Sequence, residues 1–325
     1  MTDSARATLI PAPPEPVAGV PTRRPAWWHT VLSIVVLAAA AWVVWRHWPV
    51  LERGAVRLAA ADRGWLLVGA TATALTWVCS ALAQQGAVAR ALPPRRLLAA
   101  QFAASAANHV LPAGLGAGLV NLRFLIRCGI PTARSATALA VKATAGGIGR
   151  GALIAVLTLA CPGVLRLPHV SGTAVALAAA VTALVAAVPF TPLWARCRRA
   201  LVAVVTDIRA VHVRPRRAAA LWGGSLAFAA LHAVVLIAVT QAVELPLPPA
   251  RVALLYLAAS TAAVLLPTPG GLGSLDAALV LALTLAGAPG SLAASAVLGY
   301  RLLTVWLPLV PGLLVLGLLI RRKAL

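Results

Sequence analysis

From residue 219 to 243 the chain is an unbroken apolar run in which His232 is the one ionisable side chain. A run of that length exceeds the ~18 residues that mark a membrane span. Comparable apolar runs cover residues 28–48, about 65–83, 135–160, 170–188 and 291–320. Charged residues are 11% of the chain against 61% hydrophobic, whereas a water-soluble surface needs roughly a quarter charged. The fold class that follows is an all-α polytopic integral membrane protein with about six full spans.

The net charge of +21 would suit a nucleic-acid binder, but the basic residues sit between and beside the apolar runs. That is the distribution that orients membrane proteins, with arginine and lysine on the cytoplasmic side. Trp27, Trp28, Trp45 and Trp48 lie near the ends of the first run, as interfacial aromatics do. The expected partners are therefore membrane lipids and not nucleic acid. Placing the N-terminus inside puts residues 90–96, 123–134, 196–217 and 321–323 in the cytoplasm, so both termini face inward from a cell (inner) membrane. The loop 46–63, with four arginines and two acids, falls outside against the rule.

Residues 1–26, rich in proline, read as a disordered cytoplasmic tail. Residues 28–48 read as a retained helix: the run is longer than a signal-peptide core and ends in Arg46-His47. Residues 27–325 then form a single membrane domain, with halves at about 27–160 and 170–320 and a basic cytoplasmic loop at 190–218. The cysteines (Cys79, Cys128, Cys161, Cys197) have no spacing suited to a metal or a disulfide framework.

Two apolar stretches are interrupted. One passes through Asn108, His109, Pro112, Gly114, Gly116 and Gly118; the other through Pro267, Pro269, Gly270, Gly271 and Gly273 to Asp276. The flanks are about 15 residues or fewer, ~22 Å as helix, too short for a ~30 Å hydrocarbon core. Each therefore reads as a broken helical hairpin, either re-entrant or crossing as two thin spans. An offset of 155 residues carries Ser105, Ala107, Leu111, Pro112, Gly116 and Gly118 onto Ser260, Ala262, Leu266, Pro267, Gly271 and Gly273, and Asn121 onto Asp276. Interrupted helices at matching places in two oppositely oriented halves mark the substrate site of inverted-repeat transporters.

Ionisable groups inside apolar runs are costly and point to function. Asp276 either caps the helix after Gly273 or serves the site. Arg301, after Tyr300, either pairs with Asp276 or a lipid headgroup, or snorkels to the surface. Lys142 and Arg150 share roughly one helical face without matching acids, which calls for an anionic ligand, a wet cleft or, for Lys142, an interfacial reach. Asn108 and His109 line the first break, as hydrogen-bond partners of freed backbone or in proton transfer. His232 is expected to bond between helices. The candidate substrate- or lipid-binding set is Asn108, Pro112, Gly116, Arg123, Lys142, Arg150, Pro267, Pro269, Gly270, Gly271, Gly273, Asp276, Tyr300 and Arg301. No Cys/His/carboxylate cluster, Ser/His/Asp arrangement or P-loop appears, so no enzyme activity, cofactor or metal is expected.

Residues 267–276 (Pro-Thr-Pro-Gly-Gly-Leu-Gly-Ser-Leu-Asp), followed by Tyr300-Arg301, Pro308 and Gly312, resemble the membrane domain of the lysylphosphatidylglycerol synthase (multiple peptide resistance) family. Asn108, Pro112 and Gly116 fit that family's first motif in part. The likeness spans about residues 28–320, and the chain looks like the stand-alone flippase-like members. Ala117 and Val120 stand where members often have an acid and an arginine, and residues 135–160 lack the usual acids. The chain ends at Leu325 without the family's aminoacyl-transferase domain, so the resemblance implies lipid translocation without aminoacylation. The expectation is a flippase for an anionic phospholipid or polyprenyl-linked lipid, working without ATP. Its rivals are a secondary transporter of a small solute and a membrane scaffold partnering a cell-envelope enzyme.

Overall fold

In the computed structural model, which describes Val56 and residues 59–110, 115–160, 194–264 and 273–322, every regular element described is helical. In chain order these are α1 (Arg63–Ala87), α2 (Pro94–Val110), α3 (Leu115–Arg127), α4 (Thr132–Ala160), α5 (Trp194–His212), α6 (Pro215–Ala242), α7 (Pro249–Val264), α8 (Ser274–Leu285), α9 (Gly290–Arg301), a π-helical turn (Leu302–Trp306) and α10 (Leu307–Arg321). The tail 1–26, the apolar runs 28–48 and 170–188, and the breaks at 111–114 and 265–272 lie outside the described residues.

Local chemistry sets the helix starts. Asp62 accepts the Trp65 N–H at 2.9 Å, meeting one of the orphan donors at the start of α1. Helices α2, α6 and α7 each open on proline, whose missing N–H costs nothing in a first turn.

Helices α1, α4, α6 and the continuous Gly290–Arg321 are long and apolar enough to cross a membrane. Helices α2, α3, α7 and α8 have 17, 13, 16 and 12 residues. At 1.5 Å per residue even α2 reaches only ~26 Å, short of a hydrocarbon core. They pair as α2 on α3 and α7 on α8, two short helical hairpins beside the long helices.

The basic stretch 196–217, expected as a loop, is largely helix α5. Val204, Ile208 and Val211 recur at helical spacing and pack against a core, while Arg198 and Arg209 are exposed. Counting charges alone hid that amphipathic period.

The most extensive helix contact is that of α1 with α6. A Cβ placed on Gly224 would stand 2.7 Å from Ala83 N and Cys79 O, and one on Gly86 would stand 2.4 Å from Leu221 N. Gly69 in turn faces Ala238. As the α1 position rises from 69 to 86, its α6 partner falls from 238 to 221, so the two helices run antiparallel. Between helices in lipid, close van der Waals packing of small residues replaces the hydrophobic drive.

The offset of 155 residues relates this contact to itself. It carries Gly69 onto Gly224, Ala83 onto Ala238, and the helix end Ala87 onto Ala242. It also carries Leu92-Pro93-Pro94, which opens α2, onto Leu247-Pro248-Pro249, which opens α7. Each helix thus presents a glycine to the other's alanine, as a self-complementary two-fold interface does. Two cores flank the crossing. One gathers Leu236, Val239, Leu257, Leu279 and Leu283 and takes in Ala72 of α1. The other gathers Phe124, Leu125 and Val141 and takes in Leu221 of α6.

Candidate functional site

Gly273 precedes α8 with φ at +85°, in the left-handed region that favours glycine. That turn brings Asp276 back over the helix start, where its Oδ2 accepts the Gly273 N–H at 2.9 Å. Its other oxygen, Oδ1, accepts a hydrogen bond from Arg301 Nε in a salt bridge between α8 and α9. The carboxylate therefore does both jobs the sequence left open: it caps the helix, where the dipole favours an anion, and it holds a cation. Arg301 is 6% exposed, so it does not snorkel.

A change in helical pitch follows Arg301 directly. Leu307 N–H reaches back five residues to Leu302 O, the π-helical spacing, and Pro308 has no N–H to offer the next turn. Thr304 Oγ1 donates to the Tyr300 carbonyl at 2.7 Å. Single π turns of this kind recur at functional sites.

Tyr300 OH donates to Tyr256 OH of α7 at 3.1 Å, and both rings are buried. His232 of α6 stacks on Tyr256 with centroids 6.3 Å apart and planes 14° apart. Its Nδ1 donates to Phe228 O at 3.0 Å, within its own helix. The interhelical hydrogen bond expected of His232 is thus replaced by an aromatic stack, because the carbonyl one turn back is already in reach. Arg150 of α4 lies within electrostatic reach of His232, Tyr256 and Tyr300. Its Nε is buried and has no acceptor among the described residues.

A second polar cluster joins α1, α2, α3 and α4. Lys142 Nζ donates to Ser80 Oγ and to Gln101 Oε1, both at 3.0 Å. Ser80 Oγ donates to Gln101 Oε1 at 2.8 Å, and Gln101 Nε2 donates to Asn121 Oδ1 at 2.6 Å. Asn121 Nδ2 closes the chain on Ala117 O at 2.8 Å. Every partner of Lys142 here is neutral, so its reach is inward and not to the interface.

The two clusters occupy matching helix positions. Gln101 is the eighth residue of α2 and Tyr256 the eighth of α7. Asn121 of α3 and Asp276 of α8 are related by the same offset of 155. Sequence reasoning passed over Ser80, Gln101 and Tyr256, because single hydroxyls and amides in apolar helices carry no motif. The available signal was that the offset of 155 carries Gln101 onto Tyr256; Ser80 falls on Val235 and had none.

The remaining candidates separate. Arg123 is exposed on α3, away from buried Asn121. Asn108, half-buried at the end of α2, makes no side-chain hydrogen bond among the described residues, whereas His109 beside it has a partner. Gly116 is a packing contact: a Cβ there would lie 2.1 Å from Ala107 O. Pro112, Pro267, Pro269, Gly270 and Gly271 lie outside the described residues.

These features define a class: an all-α integral membrane protein whose interior holds charged and hydrogen-bonding side chains drawn from several helices. The chain belongs to the lysylphosphatidylglycerol synthase TM region family, whose model matches residues 28–312. No curated protein matches it. Membership assigns it a role with membrane lipids.

Proposed function

We propose that the protein moves a lipid with an anionic headgroup between leaflets, without ATP and without enzymatic chemistry on the lipid. One observation carries this reading. The interior clusters bring in three cations, Lys142, Arg150 and Arg301, while their one carboxylate among the described residues is Asp276. Unmatched positive charge at membrane depth is expensive, and a phosphate or carboxylate headgroup would balance it. Membership in a lipid-handling family supports the same reading.

In this proposal the two polar clusters are halves of one inverted-repeat site, related across the α1–α6 crossing. A phosphate arriving at Arg301 competes with Asp276 for a guanidinium that binds either anion by charge-assisted hydrogen bonds. Lys142 and Arg150, ~12 Å apart along α4 at 1.5 Å per residue, offer further points of purchase along the path. The protein sits in the cell (inner) membrane as a multi-pass protein with both termini cytoplasmic.

Reconstitution into liposomes containing fluorescent phosphatidylglycerol, with loss of outer-leaflet fluorescence on dithionite addition, tests the proposal. Wild-type protein should expose the inner-leaflet probe faster than protein-free vesicles do, and Arg301→Gln should slow this by about tenfold, the loss of one charge-assisted contact. Well-folded wild-type protein that moves no lipid above empty vesicles overturns it.

A further inference from the structure

Away from these clusters, a cavity of about 560 Å³ opens where the end of α1 meets the corner between α5 and α6. Its volume falls within the range of small-ligand sites, roughly 300–1,000 Å³. Gly86 forms its floor, pressed against the α6 backbone so closely that a Cβ would meet Leu221 N at 2.4 Å and Arg217 O at 2.8 Å. Beyond that contact Val88 turns extended and the chain leaves α6, which opens the wedge. Gln85 fixes the wall: its Nε2 donates to Arg90 O at 2.9 Å, and its Oε1 accepts the Leu92 N–H at 2.8 Å.

The other wall is cationic. Arg214, Arg216 and Arg217 line the cavity, and no acid among the described residues lines it. None of the three forms an ion pair with a described carboxylate. Arg217 Nε is buried without an acceptor among the described residues, and the charge of Arg214 acts on Arg217 repulsively, with Asp207 of α5 opposing it from outside the cavity. The first turn of α6 adds the partial positive charge of a helix N-terminus, and no side chain caps it. Three adjacent arginines and an uncapped helix start repel one another unless an anion joins them. The rest of the lining (Gly86, Val88, Ala89, Ala220) is apolar. An apolar floor under a cationic rim at the end of a membrane helix fits a lipid phosphate with its glycerol, better than it fits a free ion.

We propose that this cavity is a binding site for the phosphodiester headgroup of an anionic phospholipid, separate from the interior clusters and independent of whether lipid is moved. It holds a resident lipid at the arginine-rich membrane face, bracing α1 against the α5–α6 corner.

Native mass spectrometry of the full-length protein in mild detergent, titrated with dioleoylphosphatidylglycerol or dioleoylphosphatidylcholine, tests this. Wild-type protein should retain phosphatidylglycerol in preference to phosphatidylcholine. Each of Arg214→Gln, Arg216→Gln and Arg217→Gln should weaken that retention by about fivefold. Arg95→Gln/Arg321→Gln/Arg322→Gln, which removes three charges from exposed positions elsewhere, should leave it unchanged. Ala89→Trp, which fills the cavity at constant charge, should also lower it and needs no arginine to be lost. Equal retention by wild type and the cavity variants, or an equal loss in the control triple, overturns the proposal. Displacement of the lipid by millimolar inorganic phosphate as readily as by glycerophosphoglycerol also overturns it, since the site would then be one for free phosphate.

Discussion

Asp276 and Arg301 carry opposite charges 25 residues apart in sequence, and each makes sense only with the other. Breaking a buried pair from one side leaves a charge without compensation, whereas removing both partners together is often tolerated. Asp276→Leu alone should therefore destabilise the protein by about 3 kcal/mol, at the low end of the usual range because Asp276 is 30% exposed. Adding Arg301→Met should restore much of the thermal stability in detergent while leaving lipid movement as slow as in Arg301→Gln. A double variant less stable than either single would show that the pair stabilises the fold by more than mutual neutralisation. The sequence marked both residues, because an acid and an arginine stand out in an apolar run. It could not show that one carboxylate serves Gly273 and Arg301 together, since that depends on a backbone turn and on two helices meeting. Ser80, Gln101 and Tyr256 were invisible for the opposite reason: common polar residues become a site only when neighbouring helices bring them within hydrogen-bond distance.

Among elements, the α1–α6 crossing is the most extensive contact and is sensitive to side-chain volume. Gly224→Val should push the two helices apart, because its Cβ would overlap the backbone of Ala83 and Cys79. Gly223→Val, one residue along with nothing within 4 Å, is the matched control. Thermal unfolding in detergent should show a clear drop for the first and little change for the second. The same comparison applies to the α2–α3 hairpin. Gly116→Ala meets Ala107 O and Gly118→Ala meets nothing, so stability should fall only for the former. Among the described helices, the existence of α1–α4 and α6–α10 was legible, from run length. The shortness of α2, α3, α7 and α8 was legible too, from the prolines and glycines between them. Helix α5 was not, because its charge density masked three apolar residues at helical spacing.

For the whole molecule, the inverted repeat makes a sharp prediction about sides. Ala91 and Pro246 are exposed residues that precede α2 and α7 at the same repeat position. In a cysteine-free background, Ala91→Cys and Pro246→Cys should react with a membrane-impermeant maleimide from opposite faces of sealed vesicles. Labelling of both from one face would end the inverted-repeat model and, with it, the pairing of the two polar clusters into one transport path. The antiparallel run of α1 against α6 favours opposite faces, because helices at one repeat position then point opposite ways.

By itself the sequence determined the membrane class, the family, the short broken hairpins and the few charges that a bilayer interior tolerates. Those properties depend on local hydrophobicity, on proline and glycine, and on spacing, all of which can be read along one chain. Only the tertiary structure decided which charges are paired. Among the described residues, it placed Arg301 on Asp276, left Lys142 with neutral partners and Arg150 Nε with no acceptor, and set Arg123 on the outside. It also opened the arginine-lined cavity between α1 and the α5–α6 corner. Pairing depends on which helix faces meet, and in lipid those faces are chosen by small-residue packing such as Gly69, Gly86 and Gly224, not by the hydrophobic pattern that makes the helices legible.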